Sequence, residues 1–276
     1  MKYKQKLSIL ITLFAVMLMK AQDFQGVATY KSYRKVDFKI GESKNSNMSP
    51  EMQKQLEDQI KKQAEQEYTL SFNKNESIYR KNETLEAPTP SKGGLTVRIS
   101  DPSNLYYKNL KEHRFANQTE LYGKEFLIKD SLKVQKWELL NETKNIGQYT
   151  CFKAQYKDEV KVRKMSSESG METTTEERIT TAWYTPQIPV SNGPSDFSGL
   201  PGLILEINDG KLTLICSKIV INPEEEINIK EPKKGKEVTQ KEFNDIMEKK
   251  SKEMMDQMRT RGSSNGSEIM VIGSGR

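Results

Sequence analysis

Residues 182–209 read AWYTPQIPVSNGPSDFSGLPGLILEIND. Alternation of Ile179, Thr181, Trp183 and Thr185 marks a strand running into this stretch. Pro186, Pro189 and Pro194 then fix φ and remove amide donors, which forbids helix and favours extended or turning chain. Gly193, Gly199 and Gly202 allow sharp corners or close backbone approach. Leu203, Leu205 and Ile207 follow with period two, so a strand leaves the corner and buries one apolar face. Strand, corner, strand sets the class as mainly β. The simple reading is a corner that joins two strands across a curved sheet, with Trp183 packed beneath it. The alternative is the rim of a cavity lined by the concave face. A phosphate loop needs a helix after its glycines, and here a strand follows.

Outward from the corner, the same period recurs on both sides. Strands are expected at Gly26–Tyr33, at Tyr68–Phe72 and Ile78–Arg80 around a turn at Asn73–Asn75, and at Leu105–Asn109. With Leu105–Asn109, the strands Glu112–Gln118, Lys124–Ile128 and Lys136–Leu140 are spaced as an antiparallel meander, and Tyr149–Tyr156, Leu203–Ile207 and Leu212–Ile221 complete the set. Arg163–Glu177, rich in Ser, Thr and Glu, reads as a long exposed loop, and 87–94 as a Pro/Gly loop. Helices do not alternate with strands, which argues against a doubly wound parallel sheet. The expected fold is a single curved antiparallel sheet, half-barrel-like, with a helical insertion and a C-terminal helix.

The insertion spans about 49–66: Ser49-Pro50 is a helix start, and Met52, Leu56, Ile60 and Ala64 form one thin stripe on a charged helix. The C-terminal helix spans about 240–258, opened by a Thr239/Glu242 capping box, with Phe243, Ile246, Met247, Met254 and Met258 on its apolar face. Residues 259–276 read as a flexible Gly/Ser tail, where Ile269–Ile272 is an apolar exception able to join a sheet edge.

At the other end, Lys2, Lys4 and Lys6 precede a nearly unbroken apolar run from Leu7 to Met19, and Ala21 precedes polar chain. This is the pattern of a cleavable secretory signal at 1–21, with an apolar run too short for a membrane span. No cysteine follows the run to carry a lipid. Export to the periplasm or beyond is the expectation, with no transmembrane segment after cleavage.

Removal of Lys2, Lys4, Lys6 and Lys20 leaves 40 basic against 38 acidic residues, so the +6 of the precursor falls to +2. Cations and glutamates interleave throughout, without the clustering that phosphate backbones require, so nucleic acid is excluded as a partner. The 255 residues from 22 to 276 hold one domain around a modest core, since only 34% of the chain is hydrophobic. Cys151 and Cys216 would face an oxidising compartment, and a bridge between them would contribute roughly 4 kcal/mol. Both lie in expected strands whose adjacency the sequence does not reveal, so the pairing stays open.

The corner resembles that of the GLPGLI family of exported bacterial proteins, named for the hexapeptide that stands here as Gly199-Leu200-Pro201-Gly202-Leu203-Ile204. Trp183, Tyr184 and Thr185, Ile188-Pro189, Gly193-Pro194, Leu205-Glu206-Ile207 and the upstream Gly147 to Ala154 stretch fit the same pattern. The resemblance implies an envelope protein and names no activity, because the family is defined by a motif.

Chemistry is scarce along the chain. His113 is the only histidine and sits in a charged, strand-like run, where a surface role is the simple reading. Two separated cysteines do not make a zinc site. Gly262-Ser263-Ser264-Asn265-Gly266 matches a nucleophile elbow in letters but lies in the tail, without the strand-to-helix turn the motif needs. Glu206 and Asp209 flank one turn, and Glu206 reads as a solvated residue opposite the apolar face. No catalytic, metal or cofactor-binding residue is assigned, and no cofactor is implied. The expectation is a non-enzymatic protein whose sheet binds a lipid-like ligand or a segment of an envelope partner. The rival is a scaffold for an outer-membrane assembly that makes contact through sheet edges and the C-terminal helix.

Overall fold

A computed structural model describes residues 24–35, 65–82, 98–99, 105–166, 170–260 and 270–271. The leader at 1–21, positions 49–64 of the insertion placed at 49–66, the loop at 87–94 and most of the tail lie outside the described residues, while Glu65 and Gln66 are strand in β2 and not helix. The strands are β1 (Gln25–Arg34), β2 (Glu65–Asn73), β3 (Glu76–Lys81), β4 (Arg98–Ile99), β5 (Leu105–Asn109), β6 (Arg114–Leu121) and β7 (Lys124–Ser131). Then come β8 (Glu138–Ile146), β9 (Tyr149–Ser166), β10 (Gly170–Thr185), β11 (Leu203–Asn208), β12 (Leu212–Ile221) and β13 (Lys236–Val238). Helix α1 (Gln240–Thr260) and β14 (Met270–Val271) complete the chain.

Twelve strands form one open sheet in the order β13-β7-β6-β5-β3-β2-β1-β12-β11-β10-β9-β8. Local hairpins build each flank, and β1 joins them by pairing with β2 on one side and β12 on the other. At the β2–β3 turn, Asn73 Oδ1 accepts from the amides of Asn75 at 2.8 Å and Glu76 at 2.7 Å, which explains why asparagine ends the strand there. Register irregularities at Thr29/Tyr30, Leu139/Thr143 and Trp183/Tyr184 insert extra residues, and such bulges bend and twist a sheet.

Four expectations are corrected. The sheet is mixed, because β13 returns alongside β7 in parallel. Lys136–Leu140 does not extend the meander beside β7. The tight turn at Gly147, with φ 58°, folds β8 onto β9 and carries both to the far end of the sheet. Arg163–Glu177 is not a long loop: Arg163–Ser166 and Gly170–Glu177 pair as the outer halves of β9 and β10. Its threonines and neighbouring valines favour extended chain, whatever their polarity. His113 lies in the β5–β6 turn at φ 52°, exposed, and not in a strand.

The C-terminal helix forms where its box predicts. Glu242 N donates to Thr239 Oγ1 at 3.2 Å, and Thr239 N donates to Glu242 Oε2 at 2.7 Å. Phe243 meets Phe126 edge-on at 5.5 Å, and Ile246 and Met247 pack on the same cluster. The side chains of Met254 and Met258 lie outside the described ones. Met270–Val271 pairs with Arg98–Ile99, not with the large sheet. No helix among the described residues is long and apolar enough to cross a membrane.

Candidate functional site

The corner between β10 and β11 folds back onto the sheet. After Thr185 the chain folds back against the start of β11: Leu203 N donates to Ile188 O at 3.0 Å, and Ile204 N to Asn192 O at 2.9 Å. Alternation then aims Ile188 and Val190 into one apolar cluster with Tyr30, Tyr68, Tyr79, Tyr106, Leu203 and Leu205. Phe197 and Leu200 enter a second cluster with Tyr156, Ala182, Tyr184, Ile204 and Ile207. β11 is therefore buried on both sides. This corrects the expectation that Leu203, Leu205 and Ile207 share one face. The irregularity at Trp183/Tyr184 gives β11 an extra residue, so Ile207 turns to the side of Ile204.

Polar groups anchor the corner from below. Lys108, fully buried on β5, donates from Nζ to Gly193 O at 2.7 Å and to Phe197 O at 2.9 Å. Burial lowers its ammonium to about 7, with the nearby Asp196 carboxylate opposing the fall. Tyr30 donates from its hydroxyl to Ile204 O at 2.7 Å, and Ser77 Oγ to Asn192 Oδ1 at 3.4 Å. Trp137 Nε1 donates to Ser198 O at 2.8 Å, and Gln135 Nε2 to Asp196 O at 3.0 Å. These anchors come from three strands and one connection, and every one of them grips backbone or an amide of the corner or of the start of β11.

Trp183 does not lie beneath the corner, as the sequence suggested; Trp137 does, with its ring 3.7 Å from where a Cβ on Gly199 would stand. Trp183 packs half-buried on the first cluster, and Lys144 Nζ sits 4.4 Å from its ring centroid. Lys144 is in turn paired with Glu206 at 2.7 Å, whose side chain is only 16% exposed, so Glu206 is a half-buried, ion-paired residue and not a freely solvated one. Tyr184, Pro194, Gly193, Leu200, Gly202, Leu203 and Ile204 are buried, while Pro189, Gly199 and Pro201 reach the surface. The motif positions thus come together as one packed unit.

Lys108, Trp137, Tyr30 and Gln135 carried no motif signal. Lys108 had one available: it shares strand parity with Tyr106, which points into the core.

Reactive constellations are absent at the corner. Asp209 is used by its turn, where Oδ1 accepts from Leu212 N at 2.7 Å. His113 lies in an exposed turn, and no group of three or more His, Cys, Asp or Glu among the described residues is placed to hold a metal ion. Cys151 and Cys216 are free, buried thiols in the same cluster, raised by burial to about 11 and about 12. What the corner does is close the sheet over its own apolar side chains.

No curated protein matches the chain. A solved structure of PNGF-II in space group C2 is similar at 14% identity and a TM-score of 0.47 over 80% of this chain and 32% of that one. A second, in P21, gives 13% identity and 0.47 over 80% and 33%. The chain spans about a third of the length of these proteins. Residues 137–206, from Trp137 through the corner into β11, match the family described as a protein of unknown function, Porph_ging.

Proposed function

We propose that the chain is exported through cleavage after Ala21 and serves in the cell envelope as a non-enzymatic binding module for a segment of a partner protein. The likeness of Gly199–Ile204 to the GLPGLI proteins supports export. One observation carries the binding mode: β9 and β10 run on past the sheet as a ribbon whose outer edges are unpaired among the described residues. Free strand edges present backbone donors and acceptors that an added strand satisfies. Binding an apolar cargo on the concave face is the weaker version. Ile188, Val190, Phe197 and Leu200 already fill the space against β11, and cargo would have to lift them away with the bonds from Lys108 and Tyr30. The scaffold reading differs in adding the C-terminal helix α1 to the sheet edges as a contact.

The test is site-specific photocrosslinking in cells from Glu159 and Thr175, in the intact chain and in one with the ribbon shortened beyond Asp158 and Arg178. A discrete adduct that disappears on shortening supports the reading. Adducts that persist after shortening, or lipid retained by the gently purified protein in native mass spectrometry, would overturn it.

A further inference from the structure

One side of the sheet carries an unbroken row of paired positions across five strands. Gln155 on β9 stands opposite Thr181 on β10, Thr181 opposite Asn208 on β11, Asn208 opposite Thr213 on β12, and Thr213 opposite Tyr33 on β1. Residues directly opposite one another in a ladder share a face, so the five side chains emerge together. Asn208 and Tyr33 are exposed, Tyr33 by 40%, and the other three are half-buried. Four strand spacings make the row roughly 19 Å long. None of its five members carries a charge.

Internal bonds fix the polar groups of the row. Gln155 Nε2 donates to Thr181 Oγ1 at 2.9 Å, and Asn208 Nδ2 donates to Thr213 Oγ1 at 3.0 Å. Gly210 N donates to Asn208 Oδ1 at 2.8 Å, which sets the orientation of that amide. Among the bonds of the described residues, Gln155 keeps its amide oxygen as an acceptor, while Thr181, Thr213 and Asn208 each keep a donor. Oriented groups of both kinds suit hydroxyls, which donate and accept at once. Tyr33 ends the row with an exposed ring, a surface on which the C–H face of a sugar packs.

Charge beside the row is neutralised in pairs. Lys144 bonds Glu206 at 2.7 Å, Lys153 bonds Glu142 at 2.8 Å, Lys157 lies 3.4 Å from Glu177, and Lys31 stands opposite Glu67. Glu138 stands opposite Gln155 at one end of the row, and Glu65 opposite Tyr33 at the other. A polyanion would meet paired lysines along the row and a carboxylate at each end, which disfavours it.

We propose that this row binds a neutral, extended polysaccharide laid across the strands. The strand spacing of about 4.8 Å is close to the advance per residue of an extended pyranose chain, so successive sugars meet successive strands. The surface is a sheet face and goes beyond the partner-strand reading, which concerns the ribbon edges.

Isothermal titration of the purified chain with cellohexaose, chitohexaose, mannohexaose and, as the acidic counterpart, hexagalacturonate tests this. At least one neutral hexaose should bind, and hexagalacturonate should bind about tenfold more weakly or not at all. Tyr33→Ala and Asn208→Ala should each weaken the neutral sugar about tenfold, the loss of one stacking or hydrogen-bonding group. Leu139→Ala should leave it unchanged, because Leu139 stands opposite Ala154 and so on the other face. Asn208 also holds the turn at Gly210, so Thr213→Val, which keeps the shape and removes only the hydroxyl, repeats the comparison. Binding of none of the three neutral hexaoses would overturn the proposal. So would hexagalacturonate bound as tightly as they are, or unchanged affinity in Tyr33→Ala and Thr213→Val. The chain with its ribbon shortened beyond Asp158 and Arg178 retains the whole row and should bind sugar as the wild type does. Failure of the ribbon to capture a partner is thereby read apart from failure of this face.

Discussion

Lys108 Nζ lies 2.7 Å from the carbonyl oxygen of Gly193, joining β5 to the corner across 85 residues of chain. The same ammonium holds Phe197 O at 2.9 Å, so one side chain satisfies two buried carbonyls of the corner. Lys108→Met keeps the length and the apolar stem and removes only the donors. Two acceptors left unpaired should cost about 2–3 kcal/mol in urea unfolding. Amide exchange should accelerate through Ile188–Leu200 before it does so elsewhere. Wild-type stability with unchanged exchange in that segment would show that the tether contributes nothing.

The same lysine sets the low-pH side of a stability profile. Its folded value of about 7 lies below the ordinary 10.5, so below 7 the folded chain bears the full cost of a buried cation. Between 7 and 10.5 only the unfolded chain keeps that proton, and stability climbs by about 1.4 kcal/mol per pH unit. The thiols act in the other direction. Cys151 and Cys216 are raised from 9 to about 11 and about 12, so their contribution is intact below pH 9 and is lost as the pH rises through the folded values. Above 9 two falling contributions meet one rising one. Urea midpoints under reducing conditions should therefore peak near pH 9, and Lys108→Met should flatten the limb below it. A wild-type profile that declines steadily from pH 7 would contradict the assignment.

Gly202 and Gly199 belong to one hexapeptide but answer to different constraints. A Cβ on Gly202 would stand 2.2 Å from Thr185 O, at φ +157°, against backbone that cannot step aside. A Cβ on Gly199, at φ +93°, would meet only the Trp137 ring at 3.7 Å. Gly199→Ala should cost the left-handed penalty alone, about 1 kcal/mol, while Gly202→Ala should cost about 3 kcal/mol or more through displacement of the β10–β11 junction. Thermal unfolding of the two variants decides the matter, and equal losses would mean that the junction yields.

Short strands between turn residues were legible: Leu105–Asn109 and Leu212–Ile221 coincide with β5 and β12, and the Thr239/Glu242 box marks the start of α1. Alternation failed wherever one of its assumptions failed. The outer halves of β9 and β10 belong to a ribbon apart from the main sheet, so their Lys, Glu and Thr show no apolar period to read. Ile207 changed sides because a bulge adds a residue, an event with no local sequence mark. Lys108 was passed over because lysine in a strand ordinarily means the solvent side. Only the closure of the corner above it, 85 residues on, supplies the carbonyls that make its burial tolerable. The corner itself was legible as strand, turn, strand, since proline and glycine act locally. That it lies down on the sheet depends on Tyr30, Ser77, Lys108 and Trp137, residues far from it in sequence.

Cys151 on β9 and Cys216 on β12 are separated in sheet order by β10 and β11, yet both reach the same apolar cluster. They are 0% and 8% exposed, and burial holds both as protonated thiols at neutral pH. The thiolate is the reactive form, so neither should modify readily in the folded state. A thiol assay at pH 8 on protein purified without reductant should find almost no reaction in buffer and two equivalents after unfolding in guanidinium. No reaction even after unfolding, restored by prior reduction, would mean that the two sulfurs have bridged. The curvature of the sheet across β9 to β12 would then be tighter than the free-thiol structure has it.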